Sequence, residues 1–318
     1  MTPIVDASTF LKNLQARKNI GRYCSMYSSL CDQITTDREA MLLPLDDHLV
    51  HRGDGVFEAF LCVEGALYDL GAHMERLKRS ASAINLELPF SEETIISKIR
   101  ETAKAADREN LTIRLYVSRG PGSFTANPYD NTKTQLYIVT EVPSEYPSQY
   151  YDEGVKVGIS KRWAKEAPFC SIKSCDYLLN AMVKKEAIDQ DLNYLIMLDK
   201  EGYVTEASTE NIALINESNE FCYPSFQRSL AGTTIKRLIQ IIEADSSSFG
   251  ATGVLEKDLK VEDFKQAKEV FLINTTMSVM PVSEFDGVNL PKKFEFQKKF
   301  YDALMQDKKA NAVMRMPL

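Results

Sequence analysis

The chain has 318 residues, of which 44% are hydrophobic and 26% are charged, and its formal net charge is -7. This composition is typical of a globular protein with enough length for two domains or one large one. An acidic chain without a basic stripe is not expected to attract nucleic acid or anionic membranes non-specifically. No apolar run approaches the ~18 residues that cross a bilayer and no signal peptide is evident, so the sequence predicts a cytoplasmic protein.

The first part of the chain predicts an α+β arrangement. Residues 1–22 form a predicted N-terminal extension with a short helix. After it, VFEAFLCV and ALYDL predict a hairpin around Glu64 and Gly65. Helical periodicity follows in AHMERLKRSASAINL and in SEETIISKIRETAKAA, which Ser91 caps. The strands LTIRLYVSRG and KTQLYIVTEV complete a smaller N-terminal α/β domain, residues 23–143.

A polar stretch, PSEYPSQYYDEG, marks the predicted domain boundary, because it has two prolines and no periodicity. We assign residues 144–153 to a linker and residues 154–318 to a larger C-terminal domain. This domain predicts strand GVKVGISKRW, helix DYLLNAMVKKEAIDQ and a hairpin of NYLIMLD with YVTEASTENIALIN. Helix SLAGTTIKRLIQIIEA, strand EVFLINT and an amphipathic tail follow.

The six cysteines and three histidines indicate neither a disulfide framework nor a metal site. The cysteines are sparse for so long a chain, and none forms a CxxC motif. Three histidines without such a motif make a structural zinc site an unsuitable interpretation. We therefore expect no bound metal and interpret the cysteines as reduced thiols.

One lysine has an unusual setting. Lys173 lies in APFCSIKSCDYLLNAM, among Cys170, Ile172, Cys175 and Leu178. Partial burial among such neighbours lowers the pKa of an amine and makes it a nucleophile toward carbonyl groups. Alone, however, the pattern is more typical of a lysine whose stem lies along the surface. Other groups must support the catalytic interpretation.

Two further kinds of group do so. Glu206 is a carboxylate on an otherwise apolar predicted strand, where it is either exposed or buried beside a cation. Thr233 and Thr234 begin a helix, and Thr275 and Thr276 follow a strand. Free N–H groups and hydroxyls at such places suit a phosphate, although simple capping explains each pair separately.

With Arg76 as a fixed countercharge, these groups form the set that pyridoxal 5'-phosphate requires: an amine, an acid for the ring nitrogen and a phosphate cradle. The sequence also resembles the class IV aminotransferase family, fold type IV of the pyridoxal phosphate enzymes. That family includes branched-chain aminotransferases, D-amino acid aminotransferases and aminodeoxychorismate lyases. Six blocks in family order carry the resemblance: HRGDGVFEAF, HMERLKRSAS, IKSCDYLLNAMVKKEA, GYVTEASTENIALI, LAGTTIKRL and NTTMSVMPVSEFDG.

The resemblance implies a fold and a set of roles. It implies two domains, a smaller N-terminal α/β domain and a larger C-terminal β-barrel-like domain with helices, in a homodimer. Lys173 is then the Schiff-base lysine and catalytic proton carrier, and Glu206 faces the ring nitrogen. The residues that the resemblance assigns to phosphate binding are Arg76, Thr233, Thr234, Thr275 and Thr276.

The remaining roles concern the phenolic oxygen of the cofactor and the substrate. Tyr177 resembles the tyrosine that branched-chain members direct at that oxygen, although it lies one residue nearer the lysine. Arg114, Arg119 and Arg52 are the candidates for substrate carboxylates, and Arg114 resembles the side-chain pocket arginine of the branched-chain enzymes. The loop GPGSFTANPYD lacks the further arginine and histidine of bacterial D-amino acid aminotransferases.

The implied activity is a pyridoxal phosphate-dependent aminotransferase, which moves an amino group between a branched-chain or D-amino acid and a 2-keto acid. Two alternatives stay open at this point. One is an aminodeoxychorismate lyase that releases pyruvate and 4-aminobenzoate, and the other is a non-catalytic protein that binds pyridoxal phosphate. The motifs do not specify the amino acid or its stereochemistry.

Overall fold

The computed structural model describes residues 2–15, 21–131 and 133–318 and arranges them as two β-sheets with packed helices. The predicted fold class, α+β, is confirmed. The predicted N-terminal helix is α1 (Ala7–Gln15), while residues 1 and 16–20 of the predicted extension lie outside the described residues. Within the described ranges, every helix falls short of the length and apolar character that a bilayer crossing needs.

The first sheet is antiparallel and comes mainly from the N-terminal part of the chain. Its strands in chain order are β1 (Tyr23–Ser28), β2 (Gln33–Thr35), β3 (Gly55–Val63), β4 (Ala66–Tyr68), β5 (Leu111–Ser118) and β6 (Gln135–Glu141). Its helices are α2 (His48–Arg52), α3 (Leu70–Ala83) and α4 (Glu92–Ala105). As predicted, Ser91 caps the N-terminus of α4, and its hydroxyl accepts a hydrogen bond from the Thr94 N–H at 3.3 Å.

The second sheet comes from the C-terminal part and is mixed. Its strands are β7 (Val155–Trp163), β8 (Tyr194–Leu198), β9 (Asn211–Ile215), β10 (Glu220–Pro224), β11 (Gly253–Lys257), β12 (Glu269–Asn274), β13 (Ser278–Phe285) and β14 (Val288–Asn289). The order is β11-β10-β9-β12-β13-β7-β8, with β14 beside β13. The sheet curls into a half-barrel, as the expected β-barrel-like C-terminal domain requires. The helices that follow β6 are α5 (Ser148–Glu153), α6 (Leu178–Asp189), α7 (Thr233–Ala244), α8 (Ser246–Phe249), α9 (Val261–Lys265) and α10 (Glu295–Ala310).

The chain end returns to the first sheet. Strand β15 (Arg315–Pro317) pairs with β4, so the complete order of that sheet is β15-β4-β3-β5-β6-β1-β2. The sequence pattern gives no sign of this strand, because three residues are too few to show a period. The predicted domain limits, 23–143 and 154–318, therefore stay a prediction.

Two segments differ from their predicted local structure. The segment interpreted as a linker contains α5, and Tyr146, Tyr150 and Tyr151 pack against the core of the second sheet. In the predicted hairpin of NYLIMLD with YVTEASTENIALIN, the first arm contains β8 and the second contains one regular strand, β9. The first half of the second arm makes only isolated bridges, at Val204 and Glu206. In a regular strand, side chains alternate between the two faces of the sheet. Because the backbone at Glu206 is irregular, this alternation does not determine the direction of its side chain.

Candidate active site

A cavity lies between the two halves of the chain, and its empty volume, including space that is open to solvent, is about 490 Å³. Seven of the predicted site residues line it: Arg76, Lys173, Tyr177, Glu206, Thr233, Thr234 and Thr275. A second cavity of about 1200 Å³ shares Lys173, Tyr177 and Thr275 with the first and adds Arg114 and Thr276. The fold thus brings together residues that are up to 200 positions apart in the sequence.

The Lys173 backbone is fixed to the edge of the first sheet. Its carbonyl accepts a hydrogen bond from the Phe57 N–H at 3.0 Å, and the Cys175 N–H donates to the Gly55 carbonyl at 2.8 Å. The Lys173 N–H donates to the Ser80 hydroxyl of α3 at 3.1 Å. These three bonds hold a segment without regular secondary structure, so the lysine stem leaves the backbone in a defined direction.

The amine of Lys173 points into the space that the two cavities share. Its Nζ lies 4.4 Å from the ring centre of Phe57 and 5.9 Å from that of Tyr177. No carboxylate among the described residues forms an ion pair with it. Burial, with a smaller contribution from the charge of Arg76, lowers the pKa of Lys173 to about 8. The amine is therefore a free base to a useful extent near neutral pH, as a nucleophile or proton acceptor must be.

Glu206 lies across the smaller cavity. Its Oε2 accepts a hydrogen bond from the Leu230 N–H at 3.1 Å, and its backbone bridges to Asn211. Burial raises the pKa of Glu206 to about 7, and the charge of Glu210 adds to the rise. Because the charged form of this buried carboxylate is costly, Glu206 ionises readily only beside a cationic or N–H partner.

Arg76 is held by a buried network that the sequence analysis did not identify. Its Nε and Nη2 donate to the Glu58 carboxylate at 2.7 and 2.6 Å, and His73 Nδ1 contacts the same carboxylate at 2.7 Å. His73 Nε2 lies 3.2 Å from the Thr233 hydroxyl. Despite burial, these partners lower the pKa of Glu58 to about 2. Glu58 is a charge on an otherwise apolar strand, the same signal that singled out Glu206.

The threonine pairs come from two turns that face each other. Thr233 and Thr234 are the first residues of α7, and Thr275 directly follows β12. The Thr234 hydroxyl donates to the Thr275 hydroxyl at 3.5 Å. The first N–H groups of a helix have no acceptor within the helix, so they attract an anion.

The lining of the smaller cavity has the chemistry that pyridoxal phosphate requires. A Cβ at Gly232, the N-cap of α7, would lie 2.0 Å from Asn211 Oδ1, so a larger residue beside the threonines would require the Asn211 side chain to move. Asn180 lines the cavity and has a buried Oδ1 without a hydrogen-bond partner. With an amine, an acid and an anion-binding helix end, the donor set suits an aldehyde, a ring nitrogen and a phosphate.

Thr276 lies in the larger cavity and not in the smaller one. Its hydroxyl donates to Asn274 Oδ1 at 3.2 Å and lies 3.0 Å from the Tyr146 hydroxyl. Tyr177 lies in both cavities, and its ring meets Phe57 edge to face at 5.1 Å. Its hydroxyl makes no hydrogen bond within the described part of the chain.

The larger cavity follows strands β3 and β5. Phe57 pairs with Tyr116, and Ala59 pairs with Arg114, so these four side chains lie on one face of the sheet. Arg114 Nε donates to the Glu141 carboxylate at 2.7 Å. From the lysine outward, the wall therefore changes from aromatic rings to a charged pair.

The other two predicted substrate arginines have different surroundings. Arg119 donates to the Asp54 carboxylate from Nε and Nη2, and to the Ile84 and Asn85 carbonyls. Arg52 donates to the Phe124 carbonyl at the end of α2. Neither arginine is among the residues that line the two cavities.

Comparisons with known proteins identify the family. The sequence model of the family described as "Amino-transferase class IV" matches residues 55–285. The chain is 33% identical to "D-amino-acid transaminase, chloroplastic" of Arabidopsis thaliana, over 96% of this chain and 82% of the relative. The chain is a class IV aminotransferase. Its predicted activity, transfer of an amino group between an amino acid and a 2-keto acid, is thereby confirmed, and the lyase and non-catalytic alternatives are not favoured.

Other relatives agree with this family. The aminotransferase is 27% identical to the D-alanine aminotransferase of Bacillus licheniformis, over 79% of this chain and 86% of the relative. The solved branched-chain aminotransferase of Thermoproteus uzoniensis with norvaline has a TM-score of 0.82 at 24% identity, over 93% of this chain and 99% of that one. A hypothetical aminotransferase of Mycobacterium tuberculosis, in a form with alpha-ketoglutarate and PMP bound, has a TM-score of 0.76 at 21% identity, over 90% and 99%. At these identities the two structures show the shared fold, and members of the family are pyridoxal phosphate enzymes.

Proposed function

We propose that this aminotransferase binds pyridoxal 5'-phosphate in the smaller cavity and takes its amino group from D-amino acids, which enter through the larger one. The single observation that carries the proposal is the Lys173 amine, which stands without an ion pair among the described residues at the junction of the two cavities. The cofactor would lie between that amine, the Glu206 carboxylate and the threonine turns.

Each residue has a separate task in this proposal. When bound, the cofactor supplies an aldehyde that bonds to amines and a ring that accepts electrons from the substrate α-carbon. Lys173 Nζ would hold the aldehyde, and the amine displaced by the substrate would act as the general base for the α-proton, a role for which a pKa of about 8 is suitable. Glu206 would hold the ring nitrogen in its protonated form.

In the proposal, Arg76, Thr233, Thr234 and Thr275 hold the phosphate, while Thr276 lies on the side of the larger cavity. The Glu58 carboxylate orients the Arg76 guanidinium through two hydrogen bonds and leaves its Nη1 directed at the Ala231 carbonyl at 3.4 Å. Ala231 precedes the glycine that begins α7, so the guanidinium lies beside the helix end that carries Thr233 and Thr234. Positive charge and helix N–H groups act together there.

The preference for D-amino acids rests on two relatives, and the larger cavity is the proposed route for the substrate. The relatives named above are a D-amino-acid transaminase and a D-alanine aminotransferase. The cavity offers an aromatic wall next to Lys173 and a charged pair, Arg114 with Glu141, farther away. We further propose a homodimer in the cytoplasm, which size measurement and cell fractionation test directly.

The experiment begins with covalent capture. The purified chain is incubated with pyridoxal phosphate, reduced with borohydride and digested, and we expect the modified peptide to contain Lys173. The Lys173→Ala variant should give no adduct. Lys165→Ala is the matched control, because Lys165 lies eight residues away and its Nζ pairs with Asp176 at 3.5 Å. An adduct at another lysine would refute the assignment.

The second stage tests the substrate. D-alanine and L-leucine are compared as donors, with 2-oxoglutarate as acceptor and with no acceptor. Without an acceptor, we expect D-alanine, but not L-leucine, to convert the cofactor stoichiometrically. Continued turnover should occur only when 2-oxoglutarate is present. Faster reaction with L-leucine would refute the D-preference while leaving the aminotransferase activity in place. Continued pyruvate release from aminodeoxychorismate without an acceptor would instead indicate a lyase.

A further inference from the structure

A second buried lysine lies behind one of the threonine turns. Lys308 is in the last turns of α10 and is 3% exposed. Its Nζ donates to the Thr275 carbonyl at 3.3 Å and to the Ser278 hydroxyl at 2.6 Å. Lys308 lines neither cavity, so it approaches the turn from the side opposite the site.

Among the described residues, no carboxylate forms an ion pair with the Nζ of Lys308. The neighbouring Asp307 is occupied, because Arg237 binds its carboxylate at 2.6 and 2.9 Å and the Tyr68 hydroxyl donates to it at 2.6 Å. Burial lowers the pKa of Lys308 to about 8. Burying an ammonium group without a counterion is costly, so the amine either gives up its proton or has an anion nearby.

The turn between Lys308 and the cavity has a fixed shape. Asn274 Oδ1 accepts hydrogen bonds from the Thr276 and Met277 N–H groups at 3.0 and 2.8 Å. Ser278 has a φ of +62°, in the left-handed region that a non-glycine residue rarely adopts. Lys308 holds both ends of this turn, since its two acceptors belong to Thr275 and Ser278. The Thr275 side chain faces the cavity while its carbonyl faces the lysine.

We propose that Lys308 is a positioning residue whose charge serves as the buried countercharge of the phosphate group in the smaller cavity. This inference rests on the proposed function, because the phosphate is that of the cofactor. The phosphate supplies the anion that the described residues do not provide. Lys308, for its part, strengthens phosphate binding through the segment from Thr275 to Ser278, whose two ends it holds. Arg76 lies near the start of α7 and Lys308 behind the end of β12, so the phosphate would lie between two cations.

The proposal predicts selectivity for the phosphate group rather than for the ring. Pyridoxal and pyridoxal phosphate bind the same amine and differ in the phosphate, so the ratio of their dissociation constants isolates its contribution. Lys308→Gln keeps a hydrogen-bond donor for Thr275 and Ser278 but removes the charge. We expect this variant to weaken pyridoxal phosphate binding on the order of tenfold and to leave pyridoxal binding unchanged. Lys299→Gln is the matched control, because Lys299 lies on the same helix and is exposed.

Binding is measured on the cofactor-free protein by equilibrium dialysis, and the unfolding midpoint is measured with and without inorganic phosphate. Phosphate should raise the midpoint of the wild type and of Lys299→Gln equally, and that of Lys308→Gln by less. Lys308→Arg, which keeps the charge, should keep the wild-type ratio of pyridoxal to pyridoxal phosphate affinity.

Three results would overturn the proposal. An unchanged ratio in Lys308→Gln would show that its charge does not reach the phosphate. Equal weakening of both ligands would show a structural role without phosphate selectivity. A loss in Lys308→Arg as large as in Lys308→Gln would show that the shape of the side chain, and not its charge, is responsible. Failure of the proposed function has a different signature, since the wild type would then form no adduct at Lys173 while the inorganic phosphate comparison still decides the role of Lys308.

Discussion

Replacing Glu58 by glutamine tests whether the buried network around Arg76 stabilises the fold. Glu58 is 1% exposed and accepts hydrogen bonds from Arg76 and from His73. A pKa that falls from 4.5 to about 2 corresponds to about 3 kcal/mol of folding free energy, since each tenfold change in proton affinity is worth ~1.4 kcal/mol. Removing one member of a buried pair independently costs ~3–5 kcal/mol. The two figures agree.

The expected result is a fall in the unfolding midpoint of roughly 5–10 °C for Glu58→Gln at pH 7, measured by circular dichroism. The pH dependence has a definite sign. Because the pKa of Glu58 is depressed in the folded protein, its contribution is complete above pH 4.5 and is lost as the pH falls toward 2. The difference between wild type and variant should therefore shrink as the pH is lowered from 5 to 3.

The control is Glu92→Gln. Glu92 pairs with Lys78 at 2.7 Å, but 38% and 48% of the two side chains are exposed, so the loss should stay below ~1 kcal/mol. If Glu58→Gln destabilised the protein no more than this control, the buried network would contribute no more than an exposed pair and the reasoning would fail. Added phosphate should restore part of the stability, because it neutralises the Arg76 charge that the variant leaves unpaired.

Three further predictions concern the cavities. Gly232→Ala should weaken phosphate binding, measured by dialysis, because its Cβ would lie 2.0 Å from Asn211 Oδ1 and would displace that side chain; unchanged binding would mean that the side chain moves without disturbing the turn. Arg114→Gln should lower kcat/KM for acidic donors about tenfold relative to D-alanine, because it leaves the Glu141 carboxylate uncompensated; equal losses for both donors would exclude a specificity role. The rate of aldehyde capture by Lys173 in the cofactor-free enzyme should rise with pH to a midpoint near 8, whereas a midpoint above 10 would show an ordinary lysine.

Local sequence patterns predicted the regular elements well. The helix beginning after Ser91 has its capping residue, its acidic first turn and its apolar face within one segment, and the structure contains it as α4. The segment around Glu206 was predicted less well. An alternating sequence pattern indicates a strand but does not show whether a neighbouring strand pairs with the segment along its length. A bend that pairs only at isolated bridges depends on tertiary contacts such as the bond from the Leu230 N–H.

The site shows the same division between local and distant information. Lys173 and Glu206 stand out in sequence because each is a charge among apolar residues. Arg119 looked equally available for a substrate, but Asp54 lies 65 residues earlier and occupies its guanidinium in the fold. Lys308 gave no signal, because lysines are common near the end of an amphipathic helix and only the fold shows that this one is buried.

Lys173 and Lys308 show why titration behaviour alone does not assign a role. Burial lowers the pKa of both amines to about 8. The Lys308 amine donates to two oxygen acceptors and lines neither of the two cavities, so a small aldehyde has no route to its nitrogen from the site and only its charge can act at a distance. Lys173 makes no such hydrogen bond among the described residues and faces aromatic rings in an open space, so its lone pair is available for bond formation. Lys308 cannot serve as the nucleophile, because a substrate does not reach it, and Lys173 cannot serve as a fixed countercharge, because no acceptor among the described residues holds its amine. A small aldehyde should therefore modify Lys173 and leave Lys308 unmodified.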